Sequence, residues 1–189
     1  MEAVIISGMP AAGKTTTAKL VAKRLKLKVI GGTDILKEMA KEKGYATSGK
    51  NWWDTLTAVK FLKEREKNFE IDIETDRRLI EKAKAGNIVI TSYTLPWLTA
   101  FGFKVWLSAS PATRARHMAQ RVGISASKAR PILKVRDREN CLLYKKLYNI
   151  EFGKDTEPFD LILDTNKTTE KEVADQIILK LKQSRTGSI

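Results

Sequence analysis

The 189-residue chain predicts an α/β fold, a five-stranded parallel sheet with helices on both faces. Short runs of Val, Ile and Leu alternate with longer amphipathic stretches, the pattern of strands buried on both sides and joined by helical crossovers. A glycine-bearing turn also separates the first apolar run from the first helical stretch. In doubly wound sheets, ligands bind in the crevice beyond the carboxyl ends of the strands.

Ala3-Val4-Ile5-Ile6-Ser7 reads as the first strand, buried on both faces. Residues 15–25 follow as a helix with Ala18, Leu20, Val21 and Leu25 at apolar positions. Lys28-Val29-Ile30 is a short second strand, and Thr33 is the expected N-cap of a helix over 34–43 that Gly44 ends. The third, fourth and fifth strands are Asn87-Ile88-Val89-Ile90-Thr91, Phe103-Lys104-Val105-Trp106-Leu107 and Asp160-Leu161-Ile162-Leu163-Asp164. Thr169 and Glu172 form a capping box for the last helix, which runs through Val173, Ile177, Ile178 and Leu181.

The turn is GMPAAGKTTT. Gly8, Gly13, Lys14 and Thr15 stand at the spacing G-x-x-x-x-G-K-[ST], and the strand before and helix after supply the context that makes the match specific. This predicts a P-loop NTPase fold. Gly8, Met9, Pro10, Ala11, Ala12, Gly13, Lys14, Thr15 and Thr16 would wrap a nucleotide's phosphates in backbone N–H groups. Lys14 would reach the β- and γ-phosphates of ATP, and the Thr15 hydroxyl would hold Mg²⁺.

Composition bounds the alternatives. The length fits one domain over 1–189, and 42% apolar residues fit a globular protein. No run of about 18 apolar residues and no charged-then-apolar N-terminal pattern occur, so a cytoplasmic protein without membrane partners is expected. A lone Cys141 cannot form an internal disulfide, and a lone His117 rules out a multi-histidine metal site or an evident Ser-His-Asp triad. The net charge of +13 favours polyanionic partners. Because the basic residues are spread along the chain and mixed with Glu, they read mainly as solvated helix faces, with RNA binding as the lesser alternative.

Two stretches interrupt the alternation: an acceptor-binding insertion of about 34–86 and a lid of about 111–151. The first holds Trp52 and Trp53, either of which would stack on a flat acceptor or pack the insertion's core, and a stacking role also suits Tyr93. The second carries Arg114, Arg116, Arg121, Arg130, Arg136 and Arg138. A phosphoryl-transferring enzyme must exclude water and neutralise charge, and an arginine-bearing lid does both.

Several segments in order, GMPAAGKTTTAKLVAKRL, GGTDILKEMAKEKG, FEIDIETDRR, RVGIS, YKKLYNIEFG and FDLILDTN, resemble the nucleoside monophosphate kinases, and more closely the archaeal-type cytidylate kinases. The resemblance implies catalytic roles for Lys14, Arg121 and Arg136. It implies Mg²⁺ held by Thr15 and, through water, by Asp34. Acceptor binding would fall to Asp34, Lys37, Trp53, Arg77, Tyr93, Trp97 and Asp137. Lys37 replaces a usual arginine, keeping the charge but losing the bidentate fork. Asn140 and Leu143 depart from the lid pattern R-D-x-x-D-x-x-R that Arg136 and Asp137 begin, and His117 stands where another arginine is common. Thr91-Ser92-Tyr93-Thr94-Leu95-Pro96-Trp97 lacks the family's acceptor-phosphate arginine. Arg77, Arg78 or a lysine near Trp52 would supply that charge; otherwise the acceptor is not a nucleoside monophosphate. The expected reaction moves the γ-phosphoryl group of ATP to a nucleoside monophosphate, CMP first and then dCMP or UMP, in a monomer. The alternatives are a P-loop kinase for another small acceptor and a nucleotide-driven RNA-binding or ribosome-assembly factor.

Overall fold

A computed structural model of the chain describes residues 1–47 and 69–186. Its elements in order are β1 (Val4–Gly8), α1 (Lys14–Leu25), β2 (Lys28–Gly31), α2 (Gly32–Glu42), α3 (Glu70–Lys84), β3 (Ile88–Thr91), α4 (Leu95–Leu98), β4 (Phe103–Ser108), α5 (Pro111–Val122), α6 (Ala126–Tyr148), β5 (Leu161–Asp164) and α7 (Glu170–Thr186). The strands form one sheet in the order β2-β3-β1-β4-β5, and every pairing is parallel. This is the predicted five-stranded α/β sheet.

Strand alternation sorts β1 between two cores. Val4 and Ile6 join Val21, Val105, Leu163, Val173 and Ile177, the layer made by α1 and α7. Ala3 and Ile5 turn the other way and join Ile35, Met39, Ile71, Leu79 and Ile90, the layer made by α2 and α3. The strand is therefore apolar on both faces, which explains its continuous run rather than an alternating one.

The helix ends repay closer reading. The Thr169–Glu172 box forms as expected, with Thr169 N–H donating to Glu172 Oε2 at 2.8 Å and Glu172 N–H to Thr169 Oγ1 at 3.3 Å. The start of α2 corrects the sequence reading. Gly31, not Thr33, is the N-cap residue, and the Asp34 carboxylate accepts the Gly31 N–H at 2.8 Å. Gly31 lies against the β3 end, where an added Cβ would sit 2.5 Å from Thr91 Oγ1, so the close approach of two strand ends fixes where the helix begins.

Candidate active site

The phosphate loop leaves β1, the middle strand of the sheet, and needs backbone angles that few side chains tolerate. Gly8 has φ +149°, and a Cβ there would lie 2.5 Å from the Leu107 carbonyl oxygen. Gly13 takes φ 94° and Ala11 a left-handed φ of 62°. Lys14 Nζ donates to the Gly8 and Met9 carbonyls at 2.8 and 2.9 Å and lies 4.5 Å from the Tyr93 ring centroid. Burial first, and then the charges of Arg136, Arg114 and Arg121, lower the Lys14 pKa from 10.5 to about 7, with Asp137 opposing. Three arginine charges bearing on one lysine make surroundings that suit an anion.

Beside the loop lies a cavity of about 390 Å³. Lys14 and Thr15 form one end of it, with Gly32 and Thr33 at the N-terminus of α2. The start of a helix presents N–H groups and the positive end of its dipole, which suits a phosphate. One wall is α3, whose Asp72, Thr75 and Asp76 are nearly buried. Another wall is α6, with Arg136, Glu139, Asn140 and Tyr144, and residues 91–94 complete the lining.

Asp76 is held from two elements. Thr94 Oγ1 donates to its Oδ1 at 2.6 Å and the Tyr148 hydroxyl donates to its Oδ2 at 2.8 Å. Burial and the adjacent Asp76 charge push the Tyr148 phenol above its usual pKa, so it stays protonated as a donor. Ser92 Oγ accepts the N–H groups of Thr94 and Leu95, at 3.2 and 3.1 Å, which turns the chain so that Thr94 reaches Asp76.

A second cavity of about 120 Å³ opens on the other side of the loop. It is lined by Ala12, Gly13 and Thr17, by Thr113, Arg116 and His117 of α5, and by Thr165, Asn166 and Thr168 after β5. Asp164 Oδ1 accepts both N–H and Nδ2–H of Asn166 at 2.7 Å, while Asn166 Oδ1 accepts the Ser110 N–H at 2.8 Å, so the β5 turn is tied to the start of α5. His117 Nδ1 donates to the Ala11 carbonyl at 3.0 Å and joins α5 to the loop.

The structure brings Lys14, Thr15, Tyr93 and Arg136 to the large cavity, and the Arg121 charge bears on Lys14 from the end of α5. It places other predicted residues elsewhere. Asp34 is engaged at the Gly31 cap, and Lys37, one helical turn on, is outside the cavity lining. Arg77 points away from the cavity, with Nε and Nη2 on Glu74 at 2.6 and 2.8 Å, because on α3 it stands about 100° from Asp76. Trp97 packs edge-on against Trp106 and Phe159, and its Nε1–H donates to Asp155 Oδ2 at 2.6 Å. Asp137 forms a bidentate pair with Arg114. Trp52 and Trp53 lie outside the described residues. The sequence reading missed Asp72 and Asp76, although their i, i+4 spacing places both on one face of α3.

The fold and the phosphate loop define a P-loop kinase. Shikimate kinase from Acinetobacter baumannii, in complex with shikimate, superposes with TM-score 0.59 at 18% identity over 98% of this chain and 94% of that one. An uncharacterised protein from Eubacterium ventriosum superposes with TM-score 0.70 at 15% identity, over 96% and 99%. At these identities the likeness is one of fold. The chain belongs to the cytidylate kinase-like family, whose model matches residues 3–167. Among relatives, the cytidylate kinase of Pyrobaculum calidifontis is 36% identical over 88% of this chain and 85% of its own length. That of Pyrococcus horikoshii is 35% identical over 90% and 83%.

Proposed function

We propose that this kinase transfers the γ-phosphoryl group of ATP to the phosphate of CMP, giving CDP and ADP, with dCMP and UMP as poorer acceptors. The observation that carries the reading is the shared wall. Lys14 and Thr15 belong at once to the phosphate loop and to the 390 Å³ cavity, so a phosphoryl group held by the loop faces an acceptor in the cavity. An acceptor phosphate oxygen attacks the γ-phosphorus in line; the new P–O bond forms as the bond to the bridging β,γ-oxygen breaks and ADP leaves. No covalent enzyme intermediate is needed, and the chain contributes positioning and charge.

Residue roles follow from position. Lys14 and Arg136 neutralise the transferring group, with Arg121 adding charge from the lid. The α2 N-terminus at Gly32 and Thr33 receives the acceptor phosphate in place of the missing arginines. Asp76 reads the base. Its carboxylate only accepts, so it takes the exocyclic amino group of cytosine and repels the carbonyl oxygen at the same position of uracil. Arg116 and the 165–168 turn flank the smaller cavity, which suits the donor base.

Thr15 fits Mg²⁺. A single hydroxyl beside the loop lysine is what this ion requires, because phosphate oxygens and waters complete its shell. The ion supplies charge neutralisation on the bound triphosphate. Action in the cytoplasm, as a monomer, is part of the same reading.

Replacing Lys14 with Ala tests the assignment directly. Removal of one preorganised group aimed at developing charge costs roughly 10²–10³-fold in turnover, with circular dichroism unchanged. Normal CMP-dependent ADP release by that variant would defeat the reading.

A further inference from the structure

Arg114 is the most buried arginine among the described residues, 4% exposed, and it joins three elements. From α5 its Nη1 donates to the Pro10 carbonyl of the phosphate loop at 3.2 Å. Nη1 and Nη2 also donate to Asp137 Oδ1 and Oδ2 of α6, at 2.9 and 2.8 Å. Nε is buried with no partner, so these three bonds hold the guanidinium by themselves. A bidentate pair whose arginine is buried and has so little spare hydrogen bonding tolerates only one geometry.

Asp137 follows Arg136 in the chain. Consecutive residues on a helix point about 100° apart. With Asp137 turned to Arg114 and the loop, Arg136 is turned into the cavity, where its charge is the largest of those acting on Lys14. The pair therefore sets both the rotation of α6 and its height above the phosphate loop.

We propose that Arg114 and Asp137 are a positioning pair, which fixes Arg136 against the transferring phosphoryl group by tying α5 and α6 to the loop carbonyl of Pro10. Asp137 thus acts through Arg136 rather than on the acceptor. The proposal rests on Arg136 touching the transferring group in the reading above.

A double-mutant cycle separates the two. Kinetic constants are measured for the full chain as wild type, Arg136→Ala, Asp137→Asn and the double variant, with ATP and CMP each varied. Asp137→Asn keeps the side-chain shape and is expected to lower kcat roughly 10–100-fold, the scale of a misplacement of about 1 Å, while KM for ATP stays within about threefold. Arg136→Ala is expected to cost roughly 100-fold in the wild-type background and less than about threefold in the Asp137→Asn background, because Arg136 is already out of place there. Equal Arg136→Ala losses in both backgrounds would overturn the positioning role while keeping Arg136 catalytic. An Arg136→Ala variant with wild-type kcat would overturn both. Should Asp137→Asn not fold, Arg114→Met with Asp137→Leu removes both charges together and serves as the background for the same comparison. Arg114→Lys, which retains charge without the fork, is expected to recover only part of the kcat.

Discussion

Lys14 is held where the folded chain disfavours its charge, and the consequence is measurable. Its pKa falls from 10.5 to about 7 on folding, chiefly through burial. A lysine whose folded pKa is depressed costs stability when protonated, so that cost is complete below about pH 7 and fades as pH rises to about 10.5. Lys14→Met should raise the Tm of the nucleotide-free protein at pH 7, and the gain should shrink as pH is raised towards 10.5. A pH series of thermal melts checks this, and a gain that grows with pH would contradict it. Asp76 gives the second prediction. Asp76→Asn presents a donor where the carboxylate only accepts, and the CMP over UMP ratio of kcat/KM should fall roughly ten- to a hundredfold; an unchanged ratio would remove Asp76 from base recognition. The loop residues were legible from sequence because their contacts are local, with Lys14 bonded only five and six residues back. Asp76 was not, because its partners Thr94 and Tyr148 lie 18 and 72 residues away and belong to other elements.

At the level of elements, the strands were readable because parallel sheets bury both faces and so write unbroken apolar runs. The start of α2 was misplaced by two residues, since the cap there depends on how closely Gly31 approaches Thr91 across the sheet. The departures from the lid pattern also acquire a physical meaning. Leu143, where the resemblance implied arginine, and Tyr93, in the stretch that lacks the family's acceptor-phosphate arginine, belong to one apolar and aromatic cluster with Trp106, Tyr144, Ile150 and Phe152. Tyr93 meets Phe152 edge-on at 5.5 Å and Tyr144 at 6.0 Å. The two changes are thus one change in packing between α6 and the turn after β3. Restoring an arginine at Leu143 should destabilise the chain by about 1–3 kcal/mol, read as a lower urea midpoint, instead of improving CMP binding. A variant of native stability with a lower KM for CMP would contradict this account.

Across the whole molecule, parallel strands in the order β2-β3-β1-β4-β5 bring the ends of β1, β2 and β3 to one rim, and α6 lines the same cavity. The sheet thereby gathers the donor loop, the α2 N-terminus and the α3 carboxylates, which are remote in sequence. The net charge of +13 adds a long-range field that draws in nucleotides, so KM for ATP should rise between 50 and 300 mM salt while kcat holds within about twofold. A salt-independent KM would confine electrostatics to the site itself. The most direct test of the central claim is ADP release at fixed ATP and Mg²⁺ with CMP, dCMP, UMP, AMP, GMP or no acceptor. Turnover with CMP well above UMP, and both above the tube without acceptor, is the expected result; equal slow release in every tube would show ATP hydrolysis without phosphoryl transfer and contradict the account.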